Sequence, residues 1–143
     1  MHQRIGQGID FHRLEEGREL WLGGIHIVSS KGCVAHSDGD VLIHAICDAL
    51  LGAAGLNDIG THFPDTSDVY KGIDSKVLLK RTVKMVTEKG YRIVNIDTTV
   101  CLEAPKLASY ISAMRKTLAD IAGILPDAIA VKATTTEKMG FTG

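Results

Sequence analysis

Apolar positions recur along this chain at two different periods. Ile43, Ile46, Cys47, Leu50 and Ala54 repeat at helical spacing and predict a helix over 38–54. Ser37 precedes it as a good N-cap, with Asp40 three residues on in the manner of a capping box, and Gly55 suits its end. Val77, Leu78, Thr82, Met85 and Val86 fall on one side of a second helix, 74–89, ended by Gly90. A third is predicted over 106–122, closed by Gly123. Residues 91–102 and 128–136 are rich in β-formers and read as strands. Residues 4–12 alternate in part and also read as a strand; their glycines, 6 and 8, weaken that propensity but let a backbone or ligand approach closely. Residues 19–28 read as two short runs around Gly23-Gly24, a hairpin or bulged turn. Residues 56–73 are a long loop of turn formers, a length that usually carries function, and the closing EKMGFTG is turn-like. With no repeat or linker, the pattern predicts one α/β or α+β domain over 1–143, with helices on one sheet face.

Composition narrows the function classes. Hydrophobic residues make up 45% and charged residues 23%, as in a soluble globular domain. Aromatics are only 5%, and the net charge is −1, so neither base-stacking platforms nor a basic stripe for nucleic acid is expected. An anionic substrate would have to be met locally by cations, backbone amides or metal. Three cysteines without C-x-x-C spacing argue against a disulfide framework and a zinc ribbon. The N-terminus lacks a signal-peptide pattern and no apolar run spans a membrane, so a cytoplasmic protein is expected.

Four segments carry candidate chemistry. Asp10 and His12, two apart on the predicted strand, leave the same face and are good divalent-metal ligands, though Asp-x-His is a common pair. Asp40, His44 and Asp48 share a helix face at i, i+4, i+8. A core histidine satisfied by Asp40 or Asp48 is one reading of that face. The other joins His44 to Asp10 and His12 as a two-histidine, one-carboxylate set, with Asp48 or Asp40 orienting His44 from behind. Three protein ligands leave a tetrahedral position open, as in catalytic zinc sites. In Lys132–Lys138, three threonines supply hydroxyl and amide donors and Glu137 an oxygen of the kind magnesium prefers; an ordinary β-branched strand with a solvated charge pair is the alternative. Glu103–Leu107 places Lys106 near a predicted helix start, where backbone donors can bind a base edge or anion, or simply connects strand to helix.

The run Ser37-Asp38-Gly39-Asp40-Val41-Leu42-Ile43-His44-Ala45-Ile46-Cys47-Asp48 resembles the signature of the 2-C-methyl-D-erythritol 2,4-cyclodiphosphate synthase family of the non-mevalonate isoprenoid pathway. Gly6-x-Gly8-x-Asp10-x-His12, Asp58-Ile59-Gly60 with Phe63-Pro64-Asp65-Thr66, and Lys132 to Gly143 also match, in the family's order and spacing. The resemblance implies a ferredoxin-like α+β fold, a mixed sheet with helices on one face, assembled as a homotrimer with sites between subunits. It implies cyclisation of 4-diphosphocytidyl-2-C-methyl-D-erythritol 2-phosphate with release of CMP. Zn2+ would sit on Asp10, His12 and His44, and Mg2+ or Mn2+ on the substrate diphosphate with Glu137. His36 and Thr135 would stabilise the transition state. Ser37 would contact the erythritol phosphate, and Asp58, Ile59, Gly60, Phe63, Pro64 and Asp65 would form the methylerythritol pocket. Ala104, Pro105, Lys106 and Leu107 would form the cytosine pocket mainly through backbone groups, and Thr134, Thr135 and Thr136 would hold the CDP phosphates. Phe141 would belong to an axial cavity for isoprenoid diphosphates.

Two departures accompany the resemblance. Family members usually continue beyond FTG with an arginine, a glutamate–glycine pair and a final strand, whereas this sequence stops at Gly143, so lower sheet stability and an altered axial cavity are expected. Gln7 occupies a position that tolerates several residue types. Two rival functions use the same residues: a zinc phosphohydrolase that activates water, and a non-catalytic trimer that binds isoprenoid diphosphates.

Overall fold

Both periods in the sequence are realised, the two-residue one around Gly23-Gly24 and the helical one from Val41 onward. The computed structural model describes residues 2–141. In chain order it contains β1 (Leu14–Glu16), β2 (Leu20–Leu22), β3 (Ile25–Ile27), β4 (Lys31–Cys33), α1 (Val41–Ala54), α2 (Ile59–His62), α3 (Ser75–Glu88), β5 (Ile96–Cys101), α4 (Ile111–Ala122) and β6 (Ile129–Thr134). This is a small α+β structure. Where the sequence predicts one mixed sheet, the strands of the single chain form three two-stranded ladders. β1 pairs antiparallel with β4, β2 antiparallel with β3, and β5 parallel with β6. The parallel pair needs a crossover, which α4 supplies.

The β2–β3 hairpin shows why the pattern works. Leu20, Leu22 and Ile27 turn inward and are buried, while Trp21 and His26 pair on the outer face. Gly23 and Gly24 both have positive φ, as a two-residue turn of type I′ requires. Inside, the hairpin joins one core cluster with Ile43 and Cys47 of α1, Leu79 of α3, Met114 and Leu118 of α4, and Ile129 of β6. Each such side chain contributes about 1.5–3 kcal/mol on burial. α1 packs on α3 and α3 on α4; α1 also meets β2 and β5, and α4 meets β3 and β6.

Several boundaries differ from expectation. α1 begins at Val41, not 38, because Asp40 rather than Ser37 caps it, accepting from the Ile43 N–H at 3.0 Å. Asp40 also accepts from the Gly23 and Gly24 N–H groups at 3.0 and 2.7 Å, so one buried carboxylate ties the hairpin turn to the helix. Burial raises its pKa, and the three N–H donors oppose that rise. α4 starts at Ile111 rather than 106, because Leu107 is drawn into the core and residues 107–110 close a turn first. The predicted loop 56–73 contains α2, capped by Asp58, and a 3-10 turn at Asp68–Tyr70. Residues 4–12, predicted as a strand, form no strand and join no ladder among the described residues. Among these residues no helix is long and apolar enough to cross a membrane.

Candidate metal centre

The strip over 4–12 packs on a helix instead of a strand. Gly6, Gly8, Asp10 and His12 alternate and so share one face. A Cβ on Gly6 would stand 1.8 Å from the Ala49 carbonyl oxygen, and one on Gly8 1.9 Å from that of Ala45. Only glycine allows so close an approach of backbone to helix. The same face, followed two residues at a time, brings Asp10 and then His12 to His44 on α1. The opposite face carries Ile5, Ile9 and Phe11, exposed at 97%, 68% and 57%.

Asp10 Oδ2, His12 Nε2 and His44 Nδ1 form a nearly equilateral triangle. Its edges are 3.3 Å from Asp10 to His12, 3.2 Å from Asp10 to His44 and 3.2 Å between the histidines. Burial is the largest influence lowering the His12 pKa from its usual 6.5; Asp10 opposes it and His44 reinforces it. A neutral imidazole keeps the lone pair that a metal needs. Three converging lone-pair atoms without a cation of their own are a fitting cradle for a divalent ion.

The expected orienting groups are otherwise engaged. Asp40 is the cap described above, and Asp48 accepts from the Ile59 N–H at 2.7 Å. His44 Nε2 instead meets Ser75 Oγ at 2.8 Å and Ser37 Oγ at 3.2 Å. Ser75 in turn gives its hydroxyl to Asp38 Oδ1 and its backbone N–H to Asp38 Oδ2 at 2.8 Å. Sequence reasoning missed Ser75, because a serine opening a helix reads as a local cap.

A cavity of about 450 Å³ opens beside the triangle, and its lining includes all three ligands with His36, Ser37, Ile59, Gly60, Phe63 and Asp65. Tyr70, Ile73 and Leu78 join them without having been anticipated. His36 Nε2 donates to the Ser67 carbonyl at 3.1 Å, which ties the 56–73 segment to the site. Asp58 and Pro64 stand outside the lining. Asp58 caps α2 through the Thr61 N–H and hydroxyl, and the hydroxyl is the main influence lowering its pKa. A hollow of about 520 Å³ on the other side of Ser37 and Asp38 contains no triangle residue.

The remaining predicted residues gather elsewhere. Ala104, Pro105, Lys106, Leu107, Thr134, Thr135, Thr136 and Glu137 all lie outside the triad cavity. Thr134 ends β6, and Glu137 and Lys138 follow at φ +54° and +59°. Glu103 Oε1 holds that turn, accepting from the Thr136 N–H at 3.0 Å, the Thr136 hydroxyl at 3.1 Å and the Lys138 N–H at 3.0 Å. The Lys138 N–H is the main influence lowering the Glu103 pKa. Glu137 is exposed, 3.5 Å from Thr135 Oγ1. Lys106 is exposed, whereas the Leu107 side chain is closed off in the core. Phe141 stacks on Phe11 at 5.7 Å between centroids; Thr142 and Gly143, the end of the matched segment, lie outside the described residues.

Residues 3–143 match the YgbB family. The chain is 59% identical over 143 residues to a 2-C-methyl-D-erythritol 2,4-cyclodiphosphate synthase of Bacteroides thetaiotaomicron, covering all of this chain and 90% of that relative. It is 56% identical over 140 residues to the synthase of that name from Thioalkalivibrio sulfidiphilus, covering 98% and 88%. A solved 2C-methyl-D-erythritol-2,4-cyclodiphosphate synthase in its CDP-bound form superposes with a TM-score of 0.90 at 41% identity, covering 95% of this chain and 91% of that one. The bifunctional IspDF of Campylobacter jejuni superposes with a TM-score of 0.93 at 45% identity, over 97% of this chain. This chain spans 38% of that protein's length.

Proposed function

This chain belongs to the YgbB family, and we propose that it is an enzyme catalysing the reaction its relatives are named for. It converts 4-diphosphocytidyl-2-C-methyl-D-erythritol 2-phosphate to the 2,4-cyclodiphosphate in the non-mevalonate route to isoprenoids. An oxygen of the 2-phosphate bonds to the β-phosphorus. The bond from that phosphorus to the bridging oxygen breaks, and CMP leaves with the electron pair. The nucleophile is already an anion, so no side chain has to remove a proton. The task is to bring repelling phosphates together and spread the charge of the leaving group.

The observation that carries this reading is the triangle. Two imidazoles and a carboxylate are a donor set that suits zinc, so Asp10, His12 and His44 would hold it. Zinc held there would supply Lewis acidity to the β-phosphate. Ser37 and His36 line the cavity beside the triangle, where the Ser37 hydroxyl can donate to phosphate oxygens and His36, held by the Ser67 carbonyl, shapes the wall. Ile59, Gly60, Phe63 and Asp65 wall the space for the methylerythritol carbons and hydroxyls, while Asp58 and Pro64 shape that wall from outside. Thr134, Thr135 and Thr136 offer donors for the CDP phosphates, and Glu137 an oxygen for the Mg2+ or Mn2+ that accompanies them. Backbone groups of Ala104, Pro105, Lys106 and Leu107 serve the cytosine edge.

These two groups stand apart within one chain, which supports a homotrimer whose sites lie between subunits, each subunit being one domain over 1–143. Ile5, Ile9, Phe11 and Phe141 provide exposed apolar surface for that assembly, where the short ladders would join a ferredoxin-like mixed sheet. Phosphorus NMR of the protein with the substrate, Zn2+ and Mg2+ tests the reaction. CMP appearing together with a cyclic diphosphate is expected, and CMP with a linear product would make the protein a hydrolase. His44→Ala loses zinc and turnover while keeping the assembly; full turnover by this variant rejects the metal assignment.

A further inference from the structure

His44 is gripped at both ring nitrogens, and the two grips make opposite demands on its proton. Nδ1 points into the triangle, 3.2 Å from both Asp10 Oδ2 and His12 Nε2. Nε2 points away, 2.8 Å from Ser75 Oγ and 3.2 Å from Ser37 Oγ, a hydroxyl that can give or take a hydrogen and so does not choose the tautomer. Ser75 is fully buried, so water cannot relieve a mismatch at that contact. A hydroxyl has one proton to give, and a carboxylate can only accept. The Ser75 hydroxyl proton therefore goes to Asp38 Oδ1, a short charge-assisted bond that the Ser75 N–H reinforces by donating to Asp38 Oδ2. Ser75 Oγ is left presenting lone pairs to His44. Two lone pairs facing at 2.8 Å repel, so Nε2 carries the hydrogen.

A neutral imidazole carries one ring hydrogen, and Nδ1 is then bare and aimed at the triangle. Asp10 pulls the other way, since its carboxylate would welcome a hydrogen on Nδ1. That contact is longer, 3.2 Å against 2.8 Å, and its carboxylate is partly exposed, whereas Ser75 itself is fully buried and backed by a carboxylate. The buried arm prevails. We infer that Asp38 and Ser75 are positioning residues: through a carboxylate–hydroxyl–imidazole chain they hold His44 in the Nε2–H tautomer and so ready Nδ1 as a ligand. The purpose of this device rests on the metal reading above; its measurement does not.

Asp38→Asn is the informative variant, because it reverses the chain without removing it. The amide oxygen takes the Oδ2 place and accepts from the Ser75 N–H, while the amide nitrogen takes the Oδ1 place and donates to Ser75 Oγ, at the expense of the Asp40 N–H that Oδ1 accepts at 3.1 Å in the unmodified protein. The Ser75 hydroxyl turns to donate to His44 Nε2, and the ring hydrogen moves to Nδ1, into the ligand position. An equivalent swap in the serine-protease triad leaves geometry intact and installs the wrong tautomer.

The experiment is a two-bond proton–nitrogen correlation spectrum of metal-free protein with 15N-labelled histidine, recorded well above the ordinary imidazole pKa of about 6.5. The unmodified protein should show His44 as Nε2–H and Asp38→Asn as Nδ1–H, with zinc affinity about 10–100-fold weaker in a chelator competition. Ser75→Ala should lose the tautomer preference. An Nδ1–H pattern in the unmodified protein overturns the inference without any variant. So does Asp38→Asn with an unchanged tautomer and zinc affinity within about threefold. If Asp38→Asn does not fold, Ser75→Ala decides, and a retained Nε2–H preference there overturns it. An Nε2–H protein that binds no zinc would leave the inference standing and reject the metal reading instead.

Discussion

The triad end and the threonine end of this chain are built by opposite means. At the triad, backbone is pressed onto helix, and the Asp10, His12 and His44 side chains are only 27%, 16% and 12% exposed. At the threonine end, Thr134, Thr135 and Glu137 are exposed, and the order of the turn comes from the single carboxylate of Glu103. The difference follows from what each end has to do. A ligand set must be held to a few tenths of an ångström, and one chain achieves that by close packing. The threonine end presents surface groups, which suits the nucleotide wall proposed above, with a neighbour bringing the other wall.

The largest expected effect comes from loosening the tight end. Gly8→Ala forces a methyl against the Ala45 carbonyl, so the strip lifts from α1 and carries Asp10 and His12 away. Zinc affinity and turnover should both fall more than about 100-fold, since small misplacements cost that much in rate. Calorimetric titration with zinc checks it, and native zinc affinity would show that the glycine contact does not set the triad. Asp40→Ala comes next. It removes a cap and leaves two buried N–H groups unpaired, at a cost of about 3 kcal/mol in urea denaturation. A loss under about 1 kcal/mol would mean water replaces the carboxylate.

Glu103→Ala probes the loose end. Turnover should drop about 10–100-fold while zinc affinity is unchanged. A parallel drop in zinc affinity would erase the distinction between the ends. Mixed with Gly8→Ala chains and reassembled, this variant should regain part of the activity, because one chain supplies an intact triad and the other an intact turn. No recovery would place both halves of a site in one chain.

The smallest effect is on pH dependence. The folded pKa of His12 is lowered, so below about 6.5 the unfolded chain binds a proton that the folded chain refuses. Metal-free protein should therefore lose stability as pH falls through that value, down to the lowered folded pKa, and His12→Gln should flatten this part of the profile. Glu103 has the same sign in a more acidic window: its depressed pKa adds stability above the ordinary glutamate value, lost as pH falls through the lowered one.

How legible all this was depended on how local its cause is. The β2–β3 hairpin, α3 and the glycine stops of α1 and α4 follow from neighbours in sequence, and they appeared as expected. β1 and β4 were invisible because three-residue strands such as Lys31-Gly32-Cys33 carry no alternation. Ser37 lost the cap because Asp40 satisfies two hairpin amides and Ile43 together, a reward that only the tertiary fold reveals. The strip at 4–12 was read as a strand, but it joins no ladder among the described residues and its glycines pack on a helix instead. The gathering of Asp10, His12 and His44 was legible from residue type and family resemblance, whereas that of Ser75 and Asp38, 37 residues apart, was not.

The strip has a consequence of a thermodynamic kind. Its inward face holds two of the three candidate metal ligands, and its outward face is Ile5, Ile9 and Phe11. Alternation in one short segment ties these two faces to one backbone. In the proposed assembly, a neighbouring subunit that clamps the apolar face would also pin Asp10 and His12, and association would lower the entropy that zinc must remove on binding. By reciprocity, zinc would tighten association by the same factor. Metal content and oligomer strength would then be two readings of one coupling free energy.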